Sequence, residues 1–236
     1  MRCLNNSCRV LKGKESTSMP IIPKGRDKED IFYELVFNDD LSLEGKCSYS
    51  RSEYAAFNFR NAYERYTSEN DYLENMESQN NGLTVKSFLI HNLDSIEKPI
   101  QDEYEIQLKN AVTTAGDLIY FTPLLHHQMV QNPFLSETRE YPVDYGYKES
   151  KTIALNITIP KGYEVSEVPK QMKISLPEQA GYTQFSATVM GDKITVLYKL
   201  VLNKTLFLPT EYKNLKEFYN LIIKKQAEPI IFKKVG

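Results

Sequence analysis

From Thr152 to Ile159 the chain alternates strictly, with Ile153, Leu155, Ile157 and Ile159 on one side and Thr152, Ala154, Asn156 and Thr158 on the other. Successive side chains of a strand point to opposite faces, so this run calls for a strand with one apolar and one polar face. Antiparallel sheets that cover a core on one side read this way. The neighbouring segments agree. Asp30 to Phe37 and Leu41 to Tyr49 form a hairpin pattern around Asn38-Asp39-Asp40, and Thr183 to Met190 and Lys193 to Leu202 flank the two-residue turn Gly191-Asp192. Further strands are expected at 83–91, 100–109, 117–124, 171–176 and 229–233.

Helical periodicity interrupts this series in three places. Ala55, Phe59, Ala62 and Tyr66 follow Ser52 as a candidate N-cap; Tyr72, Leu73 and Met76 share one face and stop at Gly82. Tyr212, Leu215, Tyr219 and Ile222 share another face behind Thr210, which predicts a helix from Glu211 to about Gln226. The fold class expected is mainly β with a few helices, built as antiparallel, β-sandwich-like sheets in two β-rich units with packed helices. Residues 1–26 form an extended lead-in, 27–136 a β-rich domain with a helical insertion, and 137–236 a second sandwich-like domain with a closing helix and strand.

Between the halves lies Asn132 to Tyr147, NPFLSETREYPVDYGY. Pro133 and Pro142 fix φ and remove amide donors, so neither a helix nor a central strand runs through them. The aromatic residues and charges between them favour an ordered joint over a slack linker. Arg139 is expected to pair with Asp144, and Tyr141 to be buried, with Pro142 setting the turn.

At 41% hydrophobic content, 236 residues can bury a substantial core, on the order of 70% of the unfolded surface. Lys+Arg 29 against Asp+Glu 31 leaves a net charge of −2 without a basic run, which argues against nucleic acid as a partner. No apolar stretch has the length of about 18 residues that a membrane span requires. The N-terminus has no apolar core of a secretory signal, which reads either as a cytoplasmic protein or as a piece of something longer. The three cysteines, Cys3, Cys8 and Cys47, cannot all pair, although the count allows a Cys3–Cys8 disulfide.

Groups suited to catalysis are sparse. The histidines are His91, His126 and His127, and a hydrolase would have to draw on the last two. On an extended strand that pair points to opposite sides, which predicts one packed and one wet ring without metal chelation. Cys47 falls in an apolar alternation and reads as a small core residue. Adjacent acids such as Asp102 and Glu103 read as solvated turn residues rather than a glycosidase pair. No cofactor motif is present: the ten glycines are dispersed singly, without a phosphate loop. Sixteen tyrosines and no tryptophan leave open a peptide- or glycan-binding module with a tyrosine-lined groove.

Several motifs carry a family resemblance. NPF at 132–134, REYPVDY at 139–145, IPKGYEV at 159–165, VPK at 168–170, EYKNLKEFY at 211–219 and KKQAEPIIFKK at 224–234 resemble the C-terminal region of large bacterial transglutaminase-like proteins of the Bacteroidetes type. The resemblance implies a domain of unknown function following a β-rich domain and a papain-like Cys-His-Asp domain, with residues 1–26 as a remnant of the latter. It also implies a periplasmic or cell-surface location. The family's nucleophile motif, G-D-C-K-D-like, has no counterpart here, so none of its catalytic residues can be placed. The expectation is a non-catalytic scaffold or recognition module whose partner is a transglutaminase-like domain or another protein.

Overall fold

The computed structural model describes residues 6–235. Cys3, and with it the Cys3–Cys8 pairing, lies outside them. The chain opens with a hairpin of β1 (Asn6–Lys12) and β2 (Glu15–Ile21), most of whose side chains are exposed. It continues through β3 (Arg26–Phe37) and β4 (Leu43–Glu53), helices α1 (Tyr54–Tyr63) and α2 (Glu69–Gln79), and β5 (Leu83–His91) and β6 (Ile100–Leu108). Short strands β7 (Val112–Ala115), β8 (Leu118–Phe121) and β9 (Val143–Asp144) precede β10 (Lys148–Thr158), β11 (Tyr163–Glu167) and β12 (Met172–Ser175). The hairpin β13 (Gly181–Met190) and β14 (Lys193–Leu202), then β15 (Leu206–Phe207), α3 (Tyr212–Gln226) and β16 (Ile230–Lys234), complete the fold.

Eight strands form the main sheet in the order β12-β13-β14-β10-β3-β4-β6-β5, and four form a second in the order β11-β16-β8-β7. Every pairing in these sheets is antiparallel except β3 with β10. That parallel pairing joins strands from both expected halves into one continuous sheet. The alternation on β10 holds, since Ile153, Leu155 and Ile157 are buried and face the same side as Ile31, Tyr33 and Leu35 of β3. Phe37 meets Phe121 and Phe232 of the second sheet edge-on at 5.9 and 5.7 Å, so the two sheets close on a shared apolar core. The mainly β, sandwich-like fold class is therefore observed.

The first and third helices begin differently from their sequence cues. Ser52 belongs to β4, and the turn into α1 is made at Glu53, whose φ is 54° and whose carboxylate accepts the Arg26 amide. Ala55 and Ala56 are buried, and their small side chains let α1 lie close against β3 and β4. Ser68 caps α2 by accepting from the Asp71 amide at 3.1 Å. Thr210 does not cap α3; the Glu211 carboxylate instead takes the Leu208 amide at 2.9 Å. The face of α3 matches its periodicity, with Tyr212, Leu215, Phe218, Tyr219 and Ile222 buried.

Candidate functional site

The buried face of the main sheet is apolar over most of its extent, but near the α1 end it turns polar. Inward positions of β3, β4 and β10 there carry Glu29, Arg51 and Lys151, and β6 carries Asp102 among Ile100, Tyr104 and Ile106. Glu29 is the hub, with one carboxylate oxygen 3.0 Å from Arg51 Nε and the other 3.0 Å from Lys151 Nζ. Arg51 also pairs with Asp102, whose side chain is 0% exposed. The second oxygen of Asp102 accepts from the Tyr104 hydroxyl at 2.6 Å, and that hydroxyl meets the Tyr72 hydroxyl of α2 at 2.8 Å. The guanidinium lies between the Tyr49 and Phe59 rings, 4.3 and 4.4 Å from their centroids. Burial raises the Asp102 carboxyl above its usual range against the pull of Arg51, while Lys151 and Arg51 outweigh burial at Glu29 and hold it low.

Beside this network a 3-10 turn, Leu125–His127, brings both histidines to the same place. The expectation of opposite-facing rings assumed an extended chain, whereas Leu125 has φ 52° and the turn puts the rings 4.2 Å apart. Both histidines are half-buried, so neither the fully packed ring nor the wet one is found. The Tyr33 hydroxyl lies 2.9 Å from His127 Nε2 and 3.2 Å from His126 Nε2. The Tyr49 hydroxyl lies 3.2 and 3.5 Å from the same atoms, and the two hydroxyls are 3.4 Å apart. Cys47, buried as expected, places its thiol against both phenols. His126 Nδ1 is buried without a partner. His126 also borders a cleft of about 320 Å³ lined by Asn80, Asn110, Tyr120 and Thr122.

Burial governs the protonation of these groups. It pushes the Cys47 thiol up to about 12 and the His126 imidazole down to about 4. His127 falls well below its ordinary value through burial and then the neighbouring His126, and both phenols rise well above theirs. Among the described residues no three of His, Cys, Asp and Glu assemble as a metal-binding group.

The joint is held by different residues from those expected. Tyr141 is 76% exposed rather than buried, because the apolar anchors are Phe134, wedged between Tyr212 and Tyr219, and Val143. Arg139 donates to the Tyr141 carbonyl at 3.1 Å and makes no ion pair with Asp144, which accepts from the Gly146 amide at 2.8 Å. Both charged groups are exposed, where water competes with pairing and backbone groups lie nearer. Pro142 is likewise exposed. Asp102, read as a solvated turn acid, sits instead at the centre of the buried network. Local pattern gives Tyr33, Tyr49, Arg51, Glu29 and Lys151 no role beyond membership of a strand. The available signal was a charge at the inward phase of an alternating strand, as at Arg51 after Cys47 and Tyr49, and at Asp102 between Ile100 and Tyr104.

Fold and site together define a mainly β module with a charged, tyrosine-rich interior, and comparison with known proteins places part of it. Residues 117–232 match the family model of DUF3858, a domain of unknown function with a solved structure. The match includes both histidines and excludes Tyr33, Tyr49, Arg51 and Asp102. A solved structure of a candidate protease from Parabacteroides distasonis aligns at a TM-score of 0.37 and 20% identity, covering 42% of this chain. The aligned part is 19% of that protein's length. No curated protein matches the sequence. Among the described residues no helix is long and apolar enough to cross a membrane.

Proposed function

We propose that the chain is a non-catalytic scaffold or recognition module that works beside a transglutaminase-like or cysteine-protease-like catalytic domain. The observation that carries this reading is that, among the described residues, the Cys47 thiol is buried against the Tyr33 and Tyr49 phenols, whose hydroxyls in turn meet the His126 and His127 imidazoles. A cysteine nucleophile needs a thiolate, which a lowered pKa provides, and a general base works best with a pKa near the operating pH. Here the Cys47 thiol is pushed up to about 12 and His126 down to about 4, so burial opposes a thiolate–imidazolium pair from both sides. The motif resemblance supplies the kind of catalytic neighbour.

The surface offered for recognition is the uncovered face of the main sheet. Three adjoining hollows of about 350, 430 and 250 Å³ run across it, the first two sharing Phe32, Ser48 and Glu103 and the last two Glu34, Lys46 and Glu105. Phe32, 41% exposed, lies where the first two hollows meet. A protein partner suits this mixture of an exposed ring and opposed charges better than a sugar does, since sugar recognition relies on flat aromatic platforms. The test is to assay the purified chain for amide hydrolysis, ester hydrolysis and amide exchange beside the Cys47→Ala and His126→Gln/His127→Gln variants. No turnover that depends on these residues is expected. Activity abolished in either variant would overturn the reading.

A further inference from the structure

We infer that the uncovered face of the main sheet docks on the same face of a second copy of this chain. The inference rests on reading that face as the recognition surface, and it names the partner. A division of the face by charge carries it. On β12, β13, β14 and β10 the outward positions include Lys173, Lys193, Lys199 and Lys148 and, among the described residues, no carboxylate. Arg26, at the end of β3, reaches across to the Glu149 and Leu202 carbonyls and adds its charge to that side. On β3, β4, β6 and β5 the balance is reversed. Lys28 pairs with Asp30 at 3.1 Å and Lys86 with Glu44 at 3.0 Å, which leaves Glu34, Glu103 and Glu105 around Lys46.

The boundary between the two signs falls between β3 and β10, with four strands on either side. A two-fold axis parallel to the strands at that boundary lays the acidic half of each copy on the basic half of the other, whereas a face of one sign would repel its own copy. The strands of the two sheets then stay aligned, as in stacked sheets. A partner of another kind requires no such match of the face to itself. Apolar residues mark the same boundary, since Phe32 stands opposite Ala154 across the β3 and β10 pairing and Ala154 stands opposite Leu197 on β14. An apolar centre flanked by charge is the usual anatomy of a protein interface. The hollows of the face lie on its acidic half and at the boundary, where the flexible side chains of the opposing lysines can enter.

The test is sedimentation equilibrium of the full chain at concentrations up to about 0.1 mM, in low and in high salt. The parent should dimerise in low salt and lose affinity at least about tenfold in high salt, because its charges meet near solvent and are screened. Glu34→Lys/Glu103→Lys/Glu105→Lys leaves the whole face basic, and Lys173→Glu/Lys193→Glu/Lys199→Glu leaves it predominantly acidic. Each variant alone should be monomeric with unchanged circular dichroism. Mixed in equal amounts the two should form a heterodimer, which a loss of folding could not produce. If a triple variant does not fold, Glu103→Lys and Lys199→Glu singly should each weaken the dimer at least about tenfold. A parent that stays monomeric overturns the second copy as the partner and leaves the non-catalytic reading to its own assay. A dimer indifferent to salt and to these substitutions overturns this face as its interface.

Discussion

Replacing Arg51 by methionine tests the buried charge network directly. Methionine keeps the length and apolar stem of the side chain, so packing between Tyr49 and Phe59 is largely retained while the guanidinium is lost. Asp102, 0% exposed, is then left with only the Tyr104 hydroxyl, and Glu29 keeps only Lys151. Removing one partner of a buried ion pair costs about 3–5 kcal/mol, mostly through the uncompensated charge that stays behind. Losing two cation–π contacts adds about 1 kcal/mol. Against a total stability on the order of 5–15 kcal/mol, a loss of about 4 kcal/mol should lower Tm by roughly 10 °C. With no tryptophan in the chain, urea unfolding is best followed by circular dichroism. The double variant Arg51→Met/Asp102→Asn removes the stranded charge and should recover about half of the loss. A single variant within about 1 kcal/mol of the parent, or a double variant no more stable than the single, would refute the account of Asp102 as a charge held in place by Arg51.

Other consequences are equally open to measurement. The Glu149 carboxyl is raised to about 7, first by burial and then by Asp27 opposite it on β3. A raised carboxyl binds its proton more tightly in the folded state, so its contribution is fully present below the unfolded value and is lost as pH rises through about 4.5 to 7. After a discount for partial exposure, the parent should lose on the order of 2 kcal/mol across that window, and Glu149→Gln should not, in urea melts at several pH values. In the joint, Phe134→Ala should cost about 3–4 kcal/mol, whereas Arg139→Ala and Tyr141→Ala should stay within about 0.5 kcal/mol, by thermal unfolding. Gly82 has φ 84°, and a Cβ there would meet the Lys109 carbonyl oxygen at 2.2 Å, so Gly82→Ala should cost about 2–3 kcal/mol in the same assay.

The parts of this fold legible in the sequence are those fixed by local pattern. The alternation of β10 and β14, the turn at Gly191-Asp192 and the apolar face of α3 depend on residues within a few positions of one another, and all are found. The candidate site is different in kind. His126 and His127 reach Tyr33 across 93 and 94 positions, through a 3-10 turn whose Leu125 has positive φ, which no periodicity announces. Proximity in sequence also misled at the joint, where Arg139 and Asp144 each found a backbone group closer than the other's charge. The local rule that short acid pairs are solvated failed at Asp102 because strand phase, not the neighbouring Glu103, decided its side.

That failure bears on how the sheet finds its register. Apolar alternation tells a strand which face is inward, yet it cannot distinguish the native pairing from a slip of two residues, which preserves every face. Glu29 lifts this degeneracy. In the native register it stands opposite Arg51 on β4 and Lys151 on β10, with an ion pair to each. A two-residue slip on the β4 side would set it against Glu53 or Tyr49, and on the β10 side against Glu149 or Ile153. Each alternative strips Glu29 of one of its two cations and sets that cation's side of the half-buried carboxylate against an acid or an apolar or aromatic residue instead, a cost that no apolar contact there offsets. The β3–β10 pairing most needs such a device, because it is the sheet's one parallel junction and no short hairpin turn fixes its alignment. The charges that interrupt the apolar pattern thus select one register from the set that the pattern permits.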